Sequence, residues 1–249
     1  MEAELNKFTF NGLAVFISPG AIIQLFILWG IAILFPNQPN YFKNYELFAV
    51  FMFLIAAYLT GSLINAMGEY WERKILMRNG YNPRMKALNG KHHWIEDLDR
   101  LYFKGAGLNI YDFNKETNKP KPGTVNGKKI NLNNLSQFER FANFYIKKYG
   151  MNESVEMQKE KYLLFRNLGL SLIICAILIL VYLAVNLFKP VFSMMANDVF
   201  YNTAFVIIVF ALLVVLGIIL FVNSKKQRVI YLEDLYRTAR YCYFLQTVN

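Results

Sequence analysis

Four side chains able to hydrogen-bond, Tyr58, Ser62, Asn65 and Glu69, recur at i, i+4, i+7 and i+11 within an otherwise apolar stretch. On an α-helix this spacing makes one stripe. Two kinds of chemistry follow. In the first, the polar groups bond across packed helices, and Gly61 and Gly68 on a nearby face let two backbones approach. In the second, several copies surround an axis and the stripe lines a water-filled path. A ring of Glu69 at its inner mouth would then favour cations. Gln24 and Asn186 are weaker candidates for the same path.

A second group lies near the C-terminus, where Arg237, Arg240, Tyr236 and Tyr241 mix charge with aromatic rings. Arg237, Arg240 and Tyr241 are the ligand-binding candidates, because an arginine-aromatic surface stacks bases and pairs phosphates. The same helix is also suited to lying on the inner leaflet or to packing against the rest of the polar part. The two histidines, His92 and His93, are adjacent, so on a helix they point about 100° apart and do not converge on one metal. Asp97 and Asp99 add no known ligand spacing, and no phosphate loop, dinucleotide fingerprint or nucleophile elbow is present. A surface enzyme would need His93, Asp97, Asp99 or Glu139 to converge. Neither catalytic residues nor a metal or cofactor is expected.

The elements carrying these residues are set by hydropathy. Of 249 residues, 55% are hydrophobic, and they concentrate in four long runs, about 13–35, 47–68, 168–188 and 200–222. The first run alone, at 1.5 Å per residue, reaches about 34 Å, enough for a hydrocarbon core of about 30 Å. No His, Asp, Lys or Arg falls inside any run, which argues against intramembrane catalysis and ion-coupled transport. Pro19 and Gly20 near the start of the first run predict a tolerated kink or an interfacial turn. Glu2 and Glu4 exclude a cleavable signal.

Charge gives the orientation. The formal net charge is +10, and nineteen of the 27 Lys and Arg lie between Glu69 and Arg166. Five more follow Val222, whereas each short loop carries one, Lys43 or Lys189. The positive-inside bias then places both termini and the middle segment in the cytosol. Arg73, Lys74, Lys161 and Arg166 read as orienting charges at span ends. The expected protein is an all-α membrane protein with four transmembrane helices as two hairpins. Its expected parts are a first hairpin (1–68), a basic cytosolic domain (69–166), a second hairpin (167–222) and an amphipathic tail (223–249).

Within the polar part, the second span is expected to continue as helix to Asn79-Gly80, and the third to start at Asn152 or Ser154. Trp71 and Tyr162 are expected at the interface. A short helix is expected from His93 to Lys104, and Asn126-Gly127 predicts a small hairpin between Thr124–Val125 and Lys128–Ile130. Ser136 and Glu139 form a capping box for a helix whose apolar face is Phe138, Phe141, Ala142, Tyr145 and Tyr149, stopped by Gly150. The tail, Val229 to Leu245, is read as a helix with Leu232, Leu235, Ala239 and Tyr243 on one face. Cys175 and Cys242 lie at different depths, so no disulfide is expected.

The segment Ala57-Tyr58-Leu59-Thr60-Gly61-Ser62-Leu63-Ile64-Asn65-Ala66-Met67-Gly68, the charged helix after it and the Tyr/Arg-rich tail resemble small four-span membrane proteins of bacterial antiviral defence. One such family is the membrane effector of the Hailong system, a tetramer held shut by a DNA oligomer. The resemblance implies an oligomeric channel in the bacterial inner membrane that depolarises it when a nucleotide or oligonucleotide signal changes. The implied partners are the lipid bilayer, further copies of the chain, that ligand and a cytosolic protein. The alternative is a non-conducting scaffold whose basic segment docks a cytosolic partner or anionic lipid.

Overall fold

A computed structural model describes residues 10–34, 46–78, 83–88, 124–125, 128–129, 132–188 and 196–248. In chain order they form helices α1 (Phe10–Leu34), α2 (Glu46–Arg78) and α3 (Pro83–Leu88). Two short strands, β1 (Thr124–Val125) and β2 (Lys128–Lys129), precede α4 (Leu132–Lys148), α5 (Glu153–Phe188) and α6 (Ala196–Val248). The strands pair antiparallel, Thr124 with Lys129 and Val125 with Lys128, two residues each, so the fold is in essence all-helical. Stretches within α1, α2, α5 and α6 are long and apolar enough to cross a membrane. The helix expected over 93–104 lies outside the described residues.

The helix ends follow local signals. α2 stops at Arg78, directly before Asn79-Gly80. α4 closes in a Schellman motif: Met151 N donates to Ile146 O at 3.0 Å and Gly150 N to Lys147 O at 3.1 Å. Gly150 there has φ +69°, a left-handed conformation that glycine adopts without steric penalty. α5 begins after Asn152, whose carbonyl accepts the Glu156 amide at 2.8 Å. Glu153 and Glu156 place negative charge in its first turn, where the helix dipole favours it.

Two expectations are corrected. α6 is one helix of 53 residues, not a span followed by a separate tail helix. No Gly or Pro follows Gly217 to interrupt it, and Ser224 bonds back to Phe221 O at 2.7 Å instead of capping a new start. α4 begins at Leu132, so Ser136 lies inside the helix rather than at its start. The Glu139 carboxylate instead takes Arg84 of α3 at 2.7 Å.

The chain forms two compact units, 1–71 with 163–224, and 72–162 with 225–249. The divisions fall inside α2, α5 and α6. The first unit is cored by Ile23, Ile64, Cys175, Ala176, Ile179, Val206 and Leu213. Its helices touch at glycines. A Cβ on Gly20 would meet Ala57 O at 1.7 Å, and one on Gly61 would meet Phe16 O at 1.8 Å, so α1 and α2 are in backbone contact. Gly169 of α5 and Gly217 of α6 make a similar approach. Both cysteines are free.

The second unit buries Ala87, Leu88, Ala142, Ile146 and Val155 against Tyr231, Leu232, Leu235, Tyr236, Ala239 and Cys242 of α6. The distal part of α6 thus packs on the middle segment, with Leu232, Leu235 and Ala239 on the expected face. The face of α4 is rotated from expectation. Ala142 and Ile146 are buried, Tyr145 and Tyr149 pack beside them, and Phe141 and Phe144 stay exposed. Volume decides this: small Ala142 lets α6 approach where phenylalanine would hold it off.

Candidate functional site

In the first unit, the residues able to do chemistry gather around a proline. Pro19 sits inside α1 and has no N–H. The carbonyl four residues earlier, Val15 O, therefore lacks its helical donor, and Val15 is 2% exposed. A neighbouring helix supplies one: Asn167 Nδ2 of α5 donates to Val15 O at 3.3 Å. The helix is thereby continuous through Pro19, as a tolerated residue rather than an interfacial turn.

Asn167 is the centre of a buried network. Arg166 Nη2 donates to Asn65 Oδ1 at 2.6 Å and to Asn65 O at 3.2 Å. Arg166 Nε donates to Asn167 Oδ1 at 3.3 Å, and Asn167 Nδ2 also reaches Asn65 Oδ1 at 3.3 Å. Arg166 is 3% exposed and Asn167 0%. A Cβ on Gly68 would lie 2.8 Å from Arg166 Nε, so the guanidinium occupies space left by a missing side chain. The amide orientations are forced. Arginine only donates and a carbonyl only accepts, so both asparagine oxygens must face Arg166 and the Asn167 nitrogen must face Val15.

In the sequence Arg166 reads as an orienting charge at a span end, and Asn167 carries no signal of its own. The structure buries both, with Arg166 two residues before the third apolar run, which itself carries no charge. A signal was present in Pro19, which leaves a carbonyl needing a donor, and in Arg166-Asn167 directly before the third apolar run. Insertion of an arginine at a helix centre costs about 2.5–3.5 kcal/mol on translocon scales, so such a residue needs acceptors, and the asparagines provide them.

The four stripe residues separate by environment. Asn65 enters the network. Ser62 Oγ donates to Tyr58 O of its own helix at 2.9 Å. Tyr58 is 38% exposed and stands 5.8 Å from the Phe16 ring. Glu69 is exposed. Gln24 Nε2 donates to Thr60 Oγ1 at 2.8 Å, joining α1 to α2. The Asn186 side chain lies outside the described residues. A groove of about 370 Å³ between Leu25, Phe26, Trp29, Ile179, Val206 and Val209 is apolar and offers no polar chemistry.

The second unit holds its own buried ionic group. Glu72 of α2 pairs with Arg228 of α6 and accepts from the Tyr162 hydroxyl of α5. The Arg228 guanidinium lies 5.6 Å from the Tyr162 ring centroid. Tyr162 is therefore buried, at 6% exposure. Asn143 donates to Tyr231 at 3.2 Å and Ser154 to Asp234 at 2.8 Å.

Of the ligand-binding candidates, Arg237 is exposed and pairs with Asp234 one turn back. The Arg240 guanidinium lies 5.0 Å from the Phe244 ring centroid, and Tyr241 is exposed. Tyr236, grouped with them in the sequence, is fully buried, as the packing alternative for this helix requires. Among the described residues no cluster of metal ligands forms; His92, His93, Asp97 and Asp99 lie outside them.

Fold and site together define an all-helical chain with four helices long and apolar enough to cross a membrane, and with an arginine-asparagine network buried among them. No protein family, curated protein or solved structure matches the chain.

Proposed function

We propose that the protein is a homo-oligomeric effector of the bacterial inner membrane. Its four apolar helices cross the bilayer as two hairpins with both termini in the cytosol. Copies assemble around an axis, as a tetramer in the resembling family, so that the stripe of Tyr58, Ser62, Asn65 and Glu69 lines an ion path. A nucleotide, oligonucleotide or partner protein bound by the basic cytosolic unit gates it, with Arg237, Arg240 and Tyr241 as contacts. The biological setting, antiviral defence by membrane depolarisation, comes from the resemblance.

The observation that carries this reading is the Arg166–Asn65–Asn167 network. A buried cation among spanning helices is costly and marks a pathway more often than a packing device. Tyr58 and Glu69, exposed on the same helix, have polar ends that hydrocarbon would leave poorly solvated. Gating requires only that the ligand bind one arrangement of the cytosolic helices better than another. α2, α5 and α6 carry the chain without a break from one unit to the other.

Planar-bilayer recording of the purified protein tests the reading. Conductance is expected, altered by added nucleotide or oligonucleotide, together with loss of toxicity on Asn65→Leu or Glu69→Ala. Silence under every ligand condition, with unchanged toxicity of both variants, removes it. That outcome would favour a non-conducting scaffold docking an acidic partner or anionic lipid. The exposed cations Arg140, Lys147, Lys148 and Arg237 would serve such docking.

A further inference from the structure

We infer that Asn65, with Arg166 behind it, forms an anion-coordinating position on α2, so that the path through the protein prefers small monovalent anions of the chloride class. The inference rests on the proposed conducting oligomer for its selectivity, and on the network alone for its binding site.

The argument starts from which end of the Asn65 amide is occupied. Its oxygen accepts from Arg166 at 2.6 Å and from Asn167 at 3.3 Å. Neither contact can be reversed, because Arg166 has no acceptor and Asn167 must aim its nitrogen at Val15 O. The Asn65 NH2 group is therefore turned away from the network. Among the described residues no hydrogen bond engages it, although the residue is half-buried. Hydrocarbon cannot satisfy such a donor, so an acceptor or water must stand against it.

The charge behind the amide selects that acceptor. The Arg166 guanidinium is buried, and it bonds directly to the Asn65 oxygen, which polarises the amide and strengthens its N–H groups as donors. The Arg166 cation is held within the protein, where screening by solvent is weak. Glu69, one turn along α2, is exposed, and on the proposed water-filled path its charge is screened more effectively. At Asn65 the nearer, less screened charge is positive, the arrangement that favours anions in pores. This reverses the cation preference expected from a Glu69 ring. Asn65 touches the anion, while Arg166 is a positioning residue acting through it. Gly68 leaves the space in which Arg166 lies.

The informative variant is Asn65→Asp. It keeps an oxygen for Arg166, now as a carboxylate, so the fold has no reason to fail, but it removes the NH2 and adds negative charge. The full-length protein in a planar bilayer under a tenfold potassium chloride gradient is expected to reverse on the chloride side of zero. Asn65→Asp is expected to move the reversal to zero or to the potassium side. Reversal on the potassium side in the unmodified protein, or no shift in the variant, overturns the inference and leaves the channel reading intact. If neither protein conducts, the channel reading falls and a binding measurement decides the site by itself. Thermal unfolding of the detergent-purified protein is compared in sodium chloride, bromide and gluconate at equal ionic strength. Halides are expected to raise the midpoint of the unmodified protein relative to gluconate and not that of Asn65→Asp. An equal response of the two proteins overturns the inference.

Discussion

A carbonyl freed by one proline organises the polar interior of the first unit. If Asn167 is present to satisfy Val15 O, its importance must depend on residue 19. Asn167→Leu removes the donor and is expected to destabilise the protein by about 1–3 kcal/mol, the cost of an unmade buried hydrogen bond. Pro19→Ala restores an N–H within α1, so the same change should cost less in that background. A double-mutant cycle read by denaturant unfolding in detergent is expected to show coupling of about 1 kcal/mol. Additivity of the two changes would show that the asparagine does not serve the proline-freed carbonyl. Gly68→Ala should also destabilise, because its Cβ would stand 2.8 Å from Arg166 Nε and force the guanidinium from its acceptors.

Among the elements, α6 carries the clearest division of labour. One end contributes Val206, Leu213 and Gly217 to the first unit, and the other contributes Tyr231, Leu232, Leu235 and Tyr236 to the second. Leu235 is 0% exposed, and Leu235→Ala is expected to cost about 2–5 kcal/mol of stability, including the cavity left behind. The pair of Glu72 and Arg228 ties α2 to α6 within the second unit. Arg228→Ala leaves the Glu72 carboxylate buried without its guanidinium, a loss of about 3–5 kcal/mol by analogy with other broken buried pairs. Arg228→Met with Glu72→Gln should recover much of that loss, as a thermal midpoint closer to the parent's would show. Gly150→Ala tests the α4 terminus, since φ +69° suits glycine and strains alanine; about 1 kcal/mol is expected from the same measurement.

For the whole molecule, the proposed orientation rests on the distribution of Lys and Arg about the four apolar helices. Tag-accessibility mapping in cells is expected to find the chain between α2 and α5, and the C-terminus, on the cytosolic side. An external location for either would remove the proposed gating domain. Size measurement of the purified protein is expected to give a closed oligomer of at least four copies. A monomer has too few polar faces to enclose a path, because its α2 presents a single stripe.

The amino-acid sequence determined what depends on neighbours along the chain. Four uncharged runs are at home only in an apolar medium, and in the structure they form four apolar helices of sufficient length. Asn79-Gly80, Asn152 and Gly150 mark helix ends by local backbone chemistry alone. Leu232, Leu235 and Ala239 were legible as a buried face because helical period and hydrophobicity agree there. The tertiary structure decided what depends on a partner distant in sequence. Arg166 reads as a surface charge until Asn65 and Asn167 surround it, and the Tyr162 hydroxyl has no visible acceptor until the fold brings Glu72 to it. Burial of a charge or of a phenol requires acceptors from other helices, and a periodic pattern cannot name them. The same limit applies to α4, whose buried face was set by how closely α6 can approach Ala142.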